Sequence, residues 1–443
     1  MTSRRVVTPS ERPFTGLYEL LVGDEDARVC EDIPESACRE QPKNFFLSLA
    51  SYFCSKVGDQ VASASLVLPW LLGAIGAPPF MAGLLVPIRE SGALLPQLLF
   101  AGFIRPFPVR KWFWVAGSVG QALCVAGMLI AGLLLSGTTG GIAIVVLLVV
   151  FSVSRGVASV ASKDVLGKTV SKRRRGTMMG YASALAGVAA AAFGLYFSLR
   201  AGQQPDKDAV LALLAAASIL WFTGACFYSF LSEAPGATGG GGNAIVEGVR
   251  SLRILRDDRP FRDFVIARSL LLAVALSSPF YVVLARENTD SNLGSLSLLL
   301  IASGLAGSLS APIWGRMSDL SSRSVMMISA LICSALGLLV FALIILDSVV
   351  LSWTPMYATV FFVIGIAHSG ARLGRKTHLV DMATAETRAS YVAVSNTVIG
   401  VLILAGGLFG LLAQFAGTEF AIAALAVMSL CAALVIARLP EAQ

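Results

Sequence analysis

Apolar runs long enough to cross a bilayer recur along almost the whole chain. Of its 443 residues, 56% are hydrophobic and only 14% are charged, whereas about 25% of a soluble globular protein is charged. A helix needs roughly 20 mostly apolar residues to cross the hydrocarbon core. The sequence therefore predicts an all-α polytopic membrane protein with twelve transmembrane helices. The predicted spans 1 to 6 are 44–72, 79–104, 112–136, 141–165, 176–199 and 210–231, and spans 7 to 12 are 261–284, 293–317, 324–346, 351–371, 390–415 and 420–437.

The basic residues predict which side of the membrane each loop faces. Most of the 34 Lys and Arg residues lie in the tails, the central linker and the loops that follow even-numbered spans. Only Arg200, Lys207 and Arg286 fall in loops that follow odd-numbered spans. Because basic loops stay in the cytoplasm, we expect both termini and the linker to be cytosolic and the protein to lie in the cytoplasmic (inner) membrane. This placement accounts for the net charge of +7 without a nucleic-acid partner.

An internal repeat divides the spans into two halves of six. A shift of 213 residues superposes Gly102 on Gly315, Arg110 on Arg323, Lys163 on Lys376, Gly187 on Gly400 and Gly194 on Gly407. Two halves of the same direction place a substrate site between them near mid-membrane, and we expect the repeated glycines to permit close helix contact. The predicted organisation is a cytosolic segment (1–43), a first bundle (44–232), a cytosolic linker with a surface helix (233–260) and a second bundle with a short tail (261–443).

Three stretches resemble the major facilitator superfamily. Residues 315–324 (GRMSDLSSRS), after span 8, are similar to its cytoplasmic loop signature, and Arg155 resembles the intramembrane arginine of its fourth helix. Residues 58–59 (GD), followed by 68–71 (LPWL), look like the first helix of its drug-efflux branches. Span 5 lacks the Gly-Pro element of similar antiporters, which counts against efflux. The resemblance implies two pseudo-symmetric six-helix bundles and secondary transport by alternating access.

Ionisable residues inside the apolar spans are the strongest indication of function. Five of them are placed by the sequence at one depth near mid-membrane, namely Lys56, Asp59, Arg89, Glu90 and Arg155. Arg268 of span 7 lies nearer the cytosolic side. A charge at mid-bilayer costs at least about 2.5 kcal/mol, so these groups are expected to face a polar interior and to have partners. The equivalent positions of the second half are mostly uncharged, so the fold itself does not demand the cluster.

Asp59 and Glu90 are the only carboxylates well inside the predicted spans, and we expect them to couple transport to protons. A buried carboxylate that moves between partners can bind and release a proton. The predicted substrate-binding residues are Lys56, Arg89, Arg155 and Arg268. Their surplus of positive charge suits an anionic or carboxylate-bearing substrate. The alternative is local neutralisation of Arg89 by Glu90 and of Lys56 by Asp59, which leaves only Arg155 free.

A second charged group lies at the cytosolic end of span 8. Its predicted members are Gly315, Arg316, Asp319 and Arg323. A carboxylate beside arginines at a helix end can latch the two halves together in the outward-open state, and ordinary interfacial charge is the alternative. The two histidines, His368 at the predicted end of span 10 and His378 in the next loop, are interpreted as packing or surface residues rather than as a metal site.

Enzyme motifs are absent from the sequence. It contains no phosphate-cradling glycine loop with lysine, no nucleophile elbow and no His-Glu-x-x-His, so we predict neither a cofactor nor ATP-driven transport. We predict a proton-coupled secondary active transporter of a small organic solute, with an anion and export favoured, that exists as a monomer among membrane lipids. The alternatives are proton-driven uptake of an organic anion and a non-transporting membrane receptor or scaffold.

Overall fold

A computed structural model describes residues 39–95, 100, 103–199, 206–236, 238, 253–289, 293–383 and 388–441. Every regular element within these ranges is helical, which confirms the predicted all-α fold. Ten helices there are long and apolar enough to cross a membrane, by length and composition. Spans 1 and 2 complete the predicted set of twelve. Most of the predicted cytosolic segment 1–43 and of the linker lies outside the described residues.

The helices follow the predicted order. In the first half they are Gln41–Val61 and Val67–Ala74 (span 1), Phe80–Leu94 (span 2), Lys111–Leu134, Gly137–Thr169, Lys172–Leu199 and Asp206–Ser229. A short helix, Ile254–Asp257, precedes the second half. There they are Arg259–Leu270, Ala273–Leu276 and Ser278–Asn288 (span 7), Leu293–Leu320, Ser322–Ile345, Thr354–Met382 with the 3₁₀ turn Val349–Ser352 before it, Arg388–Ala405 and Leu408–Ala416 (span 11), and Thr418–Ile436.

Three spans are interrupted at residues that disfavour a continuous helix. In span 1, Pro69 has no N–H and its ring clashes with the carbonyl group four residues earlier. The helix that begins at Gln41 therefore cannot continue through Pro69. The carbonyl oxygen of Ser63 instead accepts a hydrogen bond from the backbone nitrogen of Val67 at 2.9 Å. Span 7 restarts with Pro279 in the first turn of its last helix. Span 11 restarts after the glycine pair 406–407.

Span 10 is longer than predicted. The sequence ends it at residue 371, but the helix continues to Met382. The additional turns carry Arg372, Arg375 and Lys376, which the hydropathy pattern places in a cytosolic loop, and they put His368 in mid-helix. That assignment is wrong because hydropathy marks where apolar residues stop, whereas a helix with one face in water continues through charged residues.

The two halves meet through spans 2 and 11 and through spans 5 and 8. The internal repeat relates these two interfaces to each other. A methyl group added at Gly187 of span 5 would lie 2.5 Å from Ser308 Oγ of span 8. One added at Gly400 of span 11 would lie 2.8 Å from Leu95 Cδ2 beside span 2. The expected role of these glycines in close helix contact is confirmed at both interfaces.

One end of the molecule is closed by direct contact between the halves. We call the end at which span 1 begins and span 12 finishes the terminal end, and the opposite end the far end. At the far end, a Cβ atom on Gly83 of span 2 would lie 2.4 Å from the Cα atom of Gly410 of span 11. Nearby, Arg286 of span 7 donates to the carbonyl oxygen of Trp70 at 3.2 Å and lies over its indole ring, 5.0 Å from the centroid. The cleft between the halves is therefore shut at the far end.

Each half is fastened at the terminal end by a carboxylate that follows its last span. The fully buried side chain of Glu233 accepts hydrogen bonds from the backbone nitrogens of Arg110, at 2.9 and 3.0 Å, and Lys111, at 2.7 Å, where span 3 begins. In the second half, Glu441 pairs with Arg323, at the start of span 9, at 2.7 Å. We call these two contacts the clasps. Glu233, which the sequence assigns to the linker, thus contacts the first bundle.

Candidate functional site

Asp59 lies between arginines from two other spans. Its Oδ1 atom accepts a hydrogen bond from Arg89 Nη2 of span 2 at 2.9 Å and another from Arg155 Nη1 of span 4. The side chain of Asp59 is 21% exposed and that of Arg155 is 32% exposed, so water reaches the group from the cleft. The structure brings together three of the predicted residues. Asp59 forms ion pairs with these two arginines and not with Lys56. The alternative in which Lys56 neutralises Asp59 and Arg155 is left free is therefore wrong.

Glu90 connects the charges of the two halves. It interacts electrostatically with Arg89 and Arg155 of the first half and with Arg375 and His368 of span 10. The helix rise places Glu90 at the depth of Asp59, as the sequence predicts. Because spans 2 and 10 belong to different halves, the environment of Glu90 changes whenever the halves move relative to each other.

Span 10 supplies basic side chains that the hydropathy pattern places in a loop. Arg372 interacts electrostatically with Lys56 of span 1. Lys376 interacts with Lys56 and with Lys163 of span 4. The repeat already contained this information, since it superposes Lys163 on Lys376 and therefore pairs spans 4 and 10 across the cleft.

Arg268 lies apart from Asp59 and binds within its own half. Its side chain is 8% exposed and donates to Ser395 Oγ at 2.6 Å and to Asn396 Oδ1 of span 11 at 3.1 Å. Its Nε atom has no hydrogen-bond partner among the described residues. These contacts tie span 7 to span 11, and the predicted role of Arg268 in substrate binding stays a prediction.

The predicted gate residues lie at the terminal ends of spans 8 and 9. Arg323 donates to the carbonyl oxygen of Leu439 at 2.9 Å and belongs to the clasp of the second half. Arg316 is exposed, and a Cβ atom on Gly315 would meet no atom within 4 Å. The side chain of Asp319 lies outside the described part of the structure. A latch between the halves therefore stays a prediction.

The cleft carries more positive than negative charge. Its carboxylates are Asp59 and Glu90, and its basic side chains are Lys56, Arg89, Arg155, Lys163, Arg372, Arg375 and Lys376. An uncompensated charge inside a membrane protein is costly, so such a cleft favours anions. Within the described ranges no three His, Cys, Asp or Glu side chains are placed to hold a metal ion. The arrangement can bind an anion and exchange protons at two carboxylates.

Known proteins share this architecture. Residues 269–443 match the sequence model described as Major Facilitator Superfamily, and no curated protein sequence matches the chain. The structure is similar to a POT family transporter in complex with 5-aminolevulinic acid (TM-score 0.71, 11% identity, covering 92% of this chain and 98% of that one). It is also similar to a D-xylose-proton symporter (0.66, 14%, 90% and 99%) and to the nucleoside transporter NupG (0.65, 14%, 89% and 99%). At such identities the structural likeness shows the fold.

Proposed function

We propose that this chain is a proton-coupled secondary active transporter of the major facilitator superfamily, which moves a small organic anion by alternating access. The observation that carries the proposal is Asp59 held between Arg89 and Arg155 in a cleft with surplus positive charge. A membrane receptor or scaffold has no reason to bear the cost of these buried charges. The proposed transporter is a monomer of the cytoplasmic membrane, with the terminal end in the cytosol as its basic loops favour.

Proton coupling follows from competition for the two arginines. An anionic substrate binds best where guanidinium groups offer paired donors, and here Asp59 already occupies them. When the substrate takes over Arg89 or Arg155, Asp59 loses the charge that keeps it ionised and takes up a proton. Glu90, which faces span 10, senses the movement of the second half. Substrate, protons and helix movement are linked through these few side chains.

The coupling is tested by measuring the pH change when organic anions are added to lightly buffered, detergent-purified protein. We expect binding to move protons in the wild type and Asp59→Asn or Glu90→Gln to abolish the movement. Asp263→Asn is the matched control, because Asp263 is exposed at the start of span 7. If the anions bind without proton movement in any variant, the proton-coupling proposal is refuted.

The direction of transport has two candidates. The resemblance of residues 58–59 and 68–71 to drug-efflux proteins supports export, which we propose first. The competition for arginines supports uptake, because an anion and a proton that bind together travel in the same direction. Proteoliposomes with an imposed proton gradient separate the two: solute movement against the proton flow indicates export by exchange, and movement with it indicates symport.

A further inference from the structure

Four basic side chains, two from each half, line the cleft on the terminal side of Asp59. They are Lys56, Lys163, Arg372 and Lys376, which we call the basic ring. Lys376 interacts electrostatically with the other three, and Arg372 interacts with Lys56. Lys163, Arg372 and Lys376 are exposed, so solutes reach them from the terminal end. Lys163 and Lys376 occupy equivalent positions of the repeat and so stand opposite each other.

The two carboxylates of spans 1 and 4 are held by ion pairs with residues outside the basic ring. Asp164, next to Lys163 in the chain, pairs with Arg110 and with Lys168, each at 2.5 Å. Asp59 is bound by its two arginines. Asp164 is therefore committed to partners outside the basic ring, and Asp59, held by its two arginines, offsets only part of the charge of Lys56.

In the second half, too, the positive charge of the basic ring exceeds the negative charge close to it. Asp381, one turn beyond Lys376, interacts with His378 on another side of span 10. Glu90 reaches span 10 at Arg375 and His368. The charged groups that act most strongly on Lys376 are Arg372, Arg375, Lys56 and Lys163, which are all basic.

Like charges on the two halves oppose closure of the terminal end. Their repulsion rises as the distance between them falls and as water leaves the cleft. Alternating access requires this end to close when the far end opens. The ring therefore needs a bound anion before the halves can approach.

We propose that the basic ring binds an anion with two or more negative charges, such as a dicarboxylate, a tricarboxylate or a phosphate ester, and that this anion draws the halves together at the terminal end. One negative charge leaves most of the four positive charges of the ring uncompensated, whereas two balance half of them and three balance most of them. The inference rests on the proposed function, whose substrate class it names. It also extends the substrate contact from Arg89 and Arg155 to the four side chains of the basic ring.

Binding is tested by titrating the detergent-purified full chain with acetate, succinate and tricarballylate at constant ionic strength. We expect affinity to rise with the charge of the anion, and the double variant Lys163→Gln/Lys376→Gln to bind tricarballylate about tenfold or more weakly than the wild type. Lys376→Arg keeps the charge and should keep the affinity. Arg253→Gln/Arg256→Gln is the charge-matched control, because both arginines are exposed at the short helix before span 7. Equal affinity for acetate and tricarballylate overturns the inference.

The shift in unfolding temperature caused by Lys376→Gln distinguishes anion binding from a structural role, because only anion binding makes the shift change sign when the anion is added. Without anion, Lys376→Gln removes repulsion and should raise the unfolding temperature. With tricarballylate, the same variant loses the bound anion and should unfold at a lower temperature than the wild type. A variant that is shifted in the same direction under both conditions contradicts the inference.

Closure is measured by spin labels on opposite halves. Gly167 of span 4 and Gly315 of span 8 accept a label, since an added Cβ meets no atom within 4 Å at either position. In a background without the native cysteines, tricarballylate should shorten the distance between labelled Gly167→Cys and Gly315→Cys, and acetate should not. An unchanged distance with bound tricarballylate refutes the closing role.

The two proposals fail in different ways. If organic anions move protons through Asp59 equally well with and without the two lysines, the basic ring is not the substrate site and the transport proposal stands. If no anion of any charge binds or moves protons in the wild type, both proposals are overturned.

Discussion

The contact between Gly83 and Gly410 makes a quantitative prediction about alternating access. A Cβ atom on Gly83 would lie 2.4 Å from the Cα atom and 2.9 Å from the nitrogen of Gly410. A Cβ atom on Gly410 would lie 2.6 Å from the carbonyl oxygen of Phe80. All of these are backbone atoms, which cannot rotate away. Either alanine substitution therefore pushes spans 2 and 11 apart at the far end.

The magnitude follows from the overlap. Carbon atoms in contact lie about 3.5–4.0 Å apart, so a Cβ at 2.4 Å requires the helices to separate by about 1 Å or more. Overpacking of this kind costs about 1–3 kcal/mol. The cost falls only on the state in which the far end is closed. Gly83→Ala and Gly410→Ala should thus shift the equilibrium towards the far-end-open state by about 5- to 150-fold.

The assay is a spin-label distance across the far end. Leu134 at the end of span 3 and Leu346 after span 9 are exposed and belong to different halves. Their labelled cysteine variants should show a longer distance when Gly83 or Gly410 is replaced by alanine. Gly180→Ala is the matched control, because nothing lies within 4 Å of its added Cβ. A distance in the Gly83→Ala variant that equals the control refutes the reasoning.

Three further substitutions have expected outcomes of their own. Asp59→Asn leaves two arginines without their carboxylate and should lower the free energy of unfolding, measured by thermal unfolding, by about 1–3 kcal/mol. It should also abolish coupled flux in proteoliposomes, and unchanged flux would show that Asp59 is not the coupling group. Arg286→Ala removes the contact with Trp70 across the far end, so the spin-label distance there should lengthen, while an unaltered distance would mean that this contact does not hold the end closed. Glu233→Gln replaces a buried carboxylate that accepts from the backbone nitrogens of Arg110 and Lys111 and from Lys168 Nζ. It should lower the free energy of unfolding by about 1.5–3 kcal/mol, measured by thermal unfolding against Asp263→Asn, which should change little.

The depth of the charged residues could be predicted from the sequence. Helix rise is fixed, so counting from the ends of spans 1, 2 and 4 places Asp59, Arg89 and Arg155 at one level, and they meet there. Their pairing could not be predicted in the same way. Whether Asp59 faces Lys56 or Arg155 depends on how each helix is rotated against its neighbours, and packing decides that rotation.

The basic face of span 10 was missed for a different reason. A hydropathy window does not distinguish a cytosolic loop from a helix that borders a water-filled cleft, since both are polar. The pair Lys163 and Lys376 was visible in the repeat, but its meaning depends on knowing that the helix continues past residue 371. The break at Pro69 was likewise readable as a proline effect, although the apolar run on either side predicted one continuous helix.

The clasps give each half a mechanical character. Glu233 or Glu441 fastens the last span of each bundle to the start of its third span. Each bundle therefore resists shear between its own helices and moves as a rigid body. A displacement of the helices at the cleft then moves the opposite face of the same bundle as well, because the helices do not shift against one another. The movement that the proposed transport requires is then left to the two interfaces between the halves, where glycines of spans 5 and 11 let the helices approach closely.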